Sequence, residues 1–472
     1  MVNAGSAESG RALYNAPATS YTTTVSDRED KEQRGAVGWR RLWSGVLRSR
    51  TKLIKPNAVR QRLRARPRIR PRIYGYLTEE KESLRQGFVS LFVSSTGELV
   101  AGVALASIAG IMDQLVGLAI LIPAAIGMRG AIFGAMGSRL STSIQTGLFS
   151  FSLRRGVLAE NAQAAAVLSL ISGVFLAFLA RYLSDILGVE TVLSVLDYVV
   201  ISTLGGLIAG ALLLGITVFV ARISVRRGWD MDNIAAPMIT AAGDILTLPA
   251  LVLATYLIGI PIFSSGLAVV LVFAAVAAVT AGFRLGTQNL GRILAESLPI
   301  LALTGTVTIL VGVALEDRRD EFLTFAALLI LLPPFLQEGG ALGGILSSRL
   351  SSKVHLGLLA PRGLPSLGAF RDFVLIYIFA AGVYLFIGGA SHFLALVLGA
   401  NSPGLLPMLG ISALAGLIAT TAAVLAAYYG SIVSYRFGLD PDTYGIPIIT
   451  AAVDLLGFLS LIMALIIFGL AG

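Results

Sequence analysis

Two stretches of this chain are one pattern written twice: PAAIGMRGAIFGAMGSRLSTSIQTG at 123–147 and PPFLQEGGALGGILSSRLSSKVHLG at 333–357. At an offset of 210 residues they match at Pro123 and Pro333, Gly130 and Gly340, Gly134 and Gly344, Gly147 and Gly357, and through Ser-Arg-Leu-Ser at 138–141 and 348–351. The offset holds outward in both directions. Gly102-Val103-Ala104-Leu105 returns as Gly312-Val313-Ala314-Leu315, and DNIAAPMITAAGD (232–244) returns as DTYGIPIITAAVD (442–454). The chain therefore contains a duplicated unit, and any site within the unit is present in two copies.

The composition fixes the surroundings of that unit. Of the 472 residues, 56% are hydrophobic and 13% charged, with a mean hydropathy of +0.82, outside the balance of soluble globular domains. Hydropathy marks eleven spans, near 88–110, 114–137, 160–183, 197–221, 233–258, 263–283, 293–315, 322–346, 370–398, 405–435 and 443–470. Each is long enough to cross a bilayer core that takes about 20 helical residues. The reading is an all-α integral membrane protein with two five-helix repeats, 88–258 and 293–472, joined by a linker (259–292) that holds one further span. Five spans alone would invert the second copy. The linker span restores its direction, so the repeats run parallel and are related by a pseudo-twofold axis along the membrane normal.

Charge separates an amino-terminal arm, 1–87, from this body. Residues 1–85 carry 19 Lys and Arg against 8 Asp and Glu, and the remainder 17 against 19. Residues 1–36 are polar and are expected to be disordered. Over 39–58, Trp39, Leu42, Trp43, Val46 and Leu47 recur at helical spacing among arginines, the pattern of a helix lying in the headgroup layer. The polybasic RQRLRARPRIRPR (60–72) is expected to meet anionic lipid headgroups rather than nucleic acid. The start of the chain shows no apolar secretory signal, which puts the arm, and with it the amino terminus, in the cytoplasm and the carboxy terminus outside. Loops on the arm's side then hold Arg139, Arg154, Arg155, Arg222, Arg226, Arg227, Arg284, Arg292, Arg349, Lys353, Arg362, Arg371 and Arg436, against Arg181, Arg318 and Arg319 opposite, in line with the positive-inside rule. Localisation is thus multi-pass in the cell membrane.

The chemistry of the duplicated unit lies in its fifth span. Asp244 and its copy Asp454 are twelve residues into their spans, roughly 18 Å at about 1.5 Å per residue, near the middle of the bilayer. A carboxylate there is costly unless it faces water, a partner or an ion. Asn233, Pro237, Thr240 and Asp244 fall on one helical stripe, as do Thr443, Pro447, Thr450 and Asp454. Each proline frees the carbonyl four residues earlier, at Asn233 or Thr443, as a further oxygen. Carboxylates plus neutral oxygens suit a hard divalent cation, and a sparse site suits Mg²⁺, which keeps its waters. The cysteine count is zero and the histidines are two, so any transition-metal cage is improbable, and no motif for an organic cofactor or an enzyme nucleophile is present.

Other embedded residues read less clearly. Arg129 lies at a depth similar to that of Asp244, which allows a purely structural ion pair with the aspartates. Alternatively, Arg129 pairs across the axis with Glu338, since each occurs once. Glu98, aligned with Thr308, is either a coupling-ion or proton site or a hydrogen-bonded structural group. Gly127, Gly130, Gly134, Gly340 and Gly344 form small-residue faces that allow close helix approach, as plain packing or beside a pore.

These motifs, P-x3-G-x2-G at Pro123, Gly127 and Gly130, Ser-Arg-Leu-Ser in both copies, and Asp-x4-Pro-x2-Thr-x3-Asp in both copies, resemble the MgtE family of magnesium transporters, and more closely the duplicated form of the solute carrier family 41 branch. The resemblance covers about 88–472. It implies a pore between two five-helix units, here supplied by one chain so that a monomer forms a complete pore, with Asp244 and Asp454 at the family's pore aspartates. Ala131 and Ala341 replace the usual asparagine after the second glycine, and Gln337 stands where the second copy would have its first glycine. Transport of a divalent cation, most simply Mg²⁺, is the expected function. A coupled Na⁺ or H⁺ exchanger, a carrier of an organic or anionic solute, and a non-transporting scaffold acting through the arm are the alternatives.

Overall fold

The structure, a computed structural model, describes residues 81–152, 154–227, 231–258, 261–437 and 446–470. The expectations for the arm over 1–36, 39–58 and 60–72 fall outside these residues, as does Thr443. Asn233 and Pro237 lie on a described helix, but their side chains are outside the description.

The regular secondary structure of the described residues is all helical, with no strand among them. In chain order the helices are α1 (Lys81–Ser107), α2 (Ala109–Gln114), α3 (Leu118–Gln145), α4 (Val157–Leu187), α5 (Val195–Val199), α6 (Gly205–Arg227), α7 (Met231–Thr255), α8 (Pro261–Arg284), α9 (Gln288–Asp317), α10 (Arg319–Thr324), α11 (Ala326–His355), α12 (Leu367–Val397), α13 (Leu405–Phe437) and α14 (Ile446–Ile467). A π-helical turn, Val200–Leu204, runs between α5 and α6. Among the described residues eleven helical stretches are long and apolar enough to cross a membrane, counting α5 to α6 as one. They fall into two five-helix repeats with α8 between them.

The second and eighth spans lie later than hydropathy placed them. The expected 114–137 and 322–346 are helices Leu118–Gln145 and Ala326–His355. At the near end, α2 and the left-handed Gly117 (φ 106°) take up the residues before α3. At the far end the helix continues through the serines and threonines of 138–145, which turn their hydroxyls onto carbonyls of their own helix, Thr142 to Ser138 at 3.1 Å and Ser143 to Leu140 at 2.8 Å. Hydropathy records where apolar residues stop, and these polar residues meet their hydrogen-bonding needs within the helix.

The repeats interlock. The first helix of each packs against the second helix of the other, α1 on α11 and α9 on α3, and also against the fifth helix of its own repeat, α1 on α7 and α9 on α14. Glycine makes both crossings possible. A Cβ at Gly102 would sit 2.1 Å from the Ile330 carbonyl oxygen, and one at Gly312 would sit 2.0 Å from that of Ile120. Gly102 and Gly312, and likewise Ile120 and Ile330, are partners in the duplication. Close backbone approach through small residues is the standard means of helix association in lipid, where apolar burial drives little. One end of the α3–α9 crossing is also tied electrostatically. The Ala119 N–H donates to Glu316 Oε2 at 3.1 Å, placing a carboxylate at the positive end of α3, and Arg319 holds Glu316 from its other side at 3.4 Å. At the far end of α11, buried Asp372 of α12 accepts from Lys353 at 2.6 Å and Arg349 at 3.3 Å.

Candidate functional site

The interlocked arrangement leaves two adjoining spaces at the centre, both lined by Ile126, Gly127, Asp244, Thr308, Gln337 and Asp454. The larger, of about 280 Å³, adds Gly130, Ala131, Thr240, Thr304, Pro447 and Thr450 among its walls. It lies toward the carboxy-terminal half of α3 and the amino-terminal ends of α7 and α14. The smaller, of about 60 Å³, is closed by Leu105, Ile122, Pro123, Leu332, Pro333 and Leu336. Beyond the shared polar residues its walls are apolar and paired by the duplication, with Ile122 and its copy Leu332, Pro123 and its copy Pro333, and Ile126 and its copy Leu336. Asp244 and Asp454 line both spaces and therefore stand at the junction of a wider chamber and a narrower neck.

Each aspartate is placed by its helix. α7 packs against α3 and α6, and α14 against α11 and α13, which turns the face bearing Thr240 and Asp244, and its copy bearing Thr450 and Asp454, to the common space. Asp244 is buried, at 2% exposure, and Asp454 is half-buried. The Glu98 carboxyl lies against that of Asp244. Thr304 and Thr308 donate their hydroxyl protons to carbonyls one turn back on α9, at 2.9 and 3.0 Å. Their lone pairs are left as acceptors in the wall of the chamber.

The glycines divide. Gly127 and Gly130 line the chamber. Gly340 is packed against Thr450, whose methyl would lie 2.7 Å from an added Cβ, while Gly130 leaves 3.9 Å to the Thr240 methyl. Gly134 faces open space within 4 Å, and Gly134, Gly340 and Gly344 are not among the residues lining either space.

The expected pair of Arg129 and Glu338 does not form. Arg129 turns into its own repeat, where its guanidinium lies on Gly206 of α6, and none of its three nitrogens has a hydrogen-bond partner among the described residues. Glu338 instead accepts a 2.6 Å hydrogen bond from Ser95 of α1, the helix that crosses onto α11. The alternative of an Arg129 pair with the aspartates is likewise not seen. Thr304, Thr308 and Gln337 line the site without having been singled out as lining from the sequence. The alignment of Thr308 with Glu98 under the duplication was the available signal.

Among the described residues no group of three or more His, Asp or Glu side chains converges closely enough to coordinate a metal. Two carboxylates among neutral oxygens suit an ion that keeps its own waters and meets the protein through them. Among the described residues, eleven helices long and apolar enough to span a membrane, around a central space lined by two aspartates, fit a multi-pass membrane transporter of cations. Consistent with that class, a family model described as "Divalent cation transporter", MgtE, matches residues 122–254 and again 332–464, together more than half of the chain. The chain belongs to the MgtE family of divalent cation transporters, which are transporters and not enzymes. It is 24% identical over 412 residues to solute carrier family 41 member 2 of Xenopus laevis, covering 79% of this chain and 69% of that protein. It is 22% identical over 392 residues to solute carrier family 41 member 3 of Rattus norvegicus, covering 78% and 84%. No solved structure matches the chain.

Proposed function

We propose that this protein carries Mg²⁺ across the membrane through the chamber between its two repeats, with Asp244 and Asp454 attracting the ion and the threonine and glutamine oxygens receiving its water shell. The observation that carries this reading is that carboxylates from equivalent helices of the two repeats line one common space. At about 30 Å³ per liquid water, a chamber of about 280 Å³ has room for roughly nine waters, more than the six of an octahedral magnesium shell. The neck, of about 60 Å³, is the narrower of the two spaces. We read the wider space, toward the carboxy-terminal half of α3, as the side from which a hydrated ion reaches the aspartates. With the basic loops on the cytoplasmic side, as the positive-inside rule has them, the wider space faces the cytoplasm. One chain holds both halves of the site, so a monomer suffices.

An inside-negative potential favours entry by about 2.3 kcal/mol per elementary charge per 100 mV, hence about 4.6 kcal/mol for a divalent ion. Uptake then needs no second ion. The narrowness of the neck favours a second reading, in which the neck widens only as the chamber closes and a counter-ion makes the return trip. Proteoliposomes separate the two. A Mg²⁺ gradient with no sodium or proton gradient should give uptake, with Mn²⁺ and Co²⁺ competing and Ca²⁺ competing poorly. Uptake that requires a counter-ion gradient favours the exchanger, and no divalent flux under either condition overturns both.

A further inference from the structure

The unpaired Arg129 points to a second, separate site. At the crossing of α4 and α6, Gly206 gives the guanidinium its place, because a Cβ there would lie within contact of Arg129 Nη2 and 3.3 Å from Nη1. Thr203 sits one turn before Gly206, packed against Gly173 of α4, and Ser169 of α4 faces Gly210 one turn after it. Arg129, Ser169, Ser202 and Thr203 are each at most 1% exposed, and the guanidinium and all three hydroxyls lack a hydrogen-bond partner among the described residues. Two of the hydroxyls, on Ser202 and Thr203, belong to the π-helical turn, an irregularity that recurs at functional sites.

The fold does not require a charge at this crossing. In the second repeat the residue aligned with Arg129 is Gly339, and the place on Gly416, the copy of Gly206, is filled by the ring of Tyr384. An aromatic ring closes the crossing there, whereas the first repeat sets a buried guanidinium on Gly206, with unpartnered hydroxyls on neighbouring turns of α4 and the π-helical turn. A buried charge without a partner costs several kcal/mol, and a set of donors with no acceptor calls for an acceptor of negative charge. A cavity of about 170 Å³ lies beside Ser169, lined also by Leu207, Gly210 and Phe133, the last one turn beyond Arg129 on α3.

We infer that Arg129, with the hydroxyls of Ser169, Ser202 and Thr203, forms a binding site for a small monovalent anion of the halide class inside the first repeat, apart from the cation chamber. The inference does not depend on which cation is carried, and binding alone tests it. The purified full-length protein, titrated with sodium chloride or bromide against sodium gluconate at constant ionic strength, should show a melting temperature that rises with the logarithm of halide concentration. Crystals grown in bromide should show an anomalous peak beside Arg129. Arg129→Gln should lose the halide dependence, and Ser169→Ala with Thr203→Val, which keep the packing volume, should shift it to higher concentration. A melting temperature indifferent to halide together with no anomalous peak at Arg129 overturns the site. So does a halide dependence that persists unchanged in the Ser169→Ala, Thr203→Val protein.

Discussion

Replacing Gly102 or Gly312 by alanine tests the interlocking of the repeats. The added methyl at Gly102 meets a backbone carbonyl at 2.1 Å, and ordinary contact begins at 3.4 Å, so α1 and α11 must part by about 1.3 Å at their crossing. At Gly312 the corresponding distance is 2.0 Å, and α9 and α3 must part by about 1.4 Å. A carbonyl of a helical backbone cannot rotate away as a side-chain end can. The cost should match other cases of overpacking, about 1–3 kcal/mol for each change. Helix propensity acts the other way, since alanine is favoured over glycine by up to about 1 kcal/mol, so the net loss falls at about 0–2 kcal/mol for a relaxed crossing and toward the upper end for a rigid one. The matched control is Gly266→Ala on α8, where nothing lies within 4 Å of the new methyl and propensity alone should stabilise. Melting temperature in detergent, read by size-exclusion chromatography after heating, is the assay. Gly102→Ala and Gly312→Ala should both fall below Gly266→Ala, by similar amounts. Equal stability of all three proteins would refute the crossing geometry, and a loss confined to one of the two glycines would refute its symmetry.

Three further predictions concern the interior. Ser95→Ala removes the hydroxyl that donates to Glu338 Oε1 and should lower stability by about 1–3 kcal/mol, the cost of leaving a buried acceptor unsatisfied, as read by chemical or thermal denaturation. Thr304→Val and Thr308→Val preserve shape while removing two acceptors from the chamber wall; at about 1 kcal/mol per hydrogen bond, the pair should weaken apparent Mg²⁺ affinity by roughly 10- to 30-fold in flux assays, with little change in melting temperature. Leu332→Ala with Ile122→Ala widens the apolar neck and should raise the flux of Mg²⁺ and relax discrimination against larger divalent ions, measured as the ratio of Ca²⁺ to Mg²⁺ uptake.

Much of the architecture was legible because duplication prints itself twice. The offset of 210 residues and the equivalence of Asp244 with Asp454 follow from matching residues, and the span count from hydropathy, with no knowledge of packing. The cross-packing was not legible. Gly102 and Gly312 are visible as matching glycines, but which backbone each approaches depends on the path of the other repeat. Arg129 shows the same limit more sharply. Its depth could be counted along its helix, yet its destination was set by Gly206 on a helix more than seventy residues away, and a pairing argued from symmetry alone chose Glu338 wrongly. Thr304 and Thr308 were passed over because on hydropathy α9 is an ordinary apolar span, and threonines there commonly bond back to their own helix, as these do.

Magnesium uptake by proteoliposomes carrying Asp244→Asn or Asp454→Asn is the most direct test of a shared ion path. A divalent ion about 4 Å from each carboxylate through a water layer loses about 2 kcal/mol per neutralised aspartate even at the dielectric constant of bulk water, roughly a 30-fold loss of affinity. Each single substitution should therefore reduce uptake at sub-saturating Mg²⁺ by at least that factor while the protein remains folded. Wild-type uptake by either variant would contradict the account.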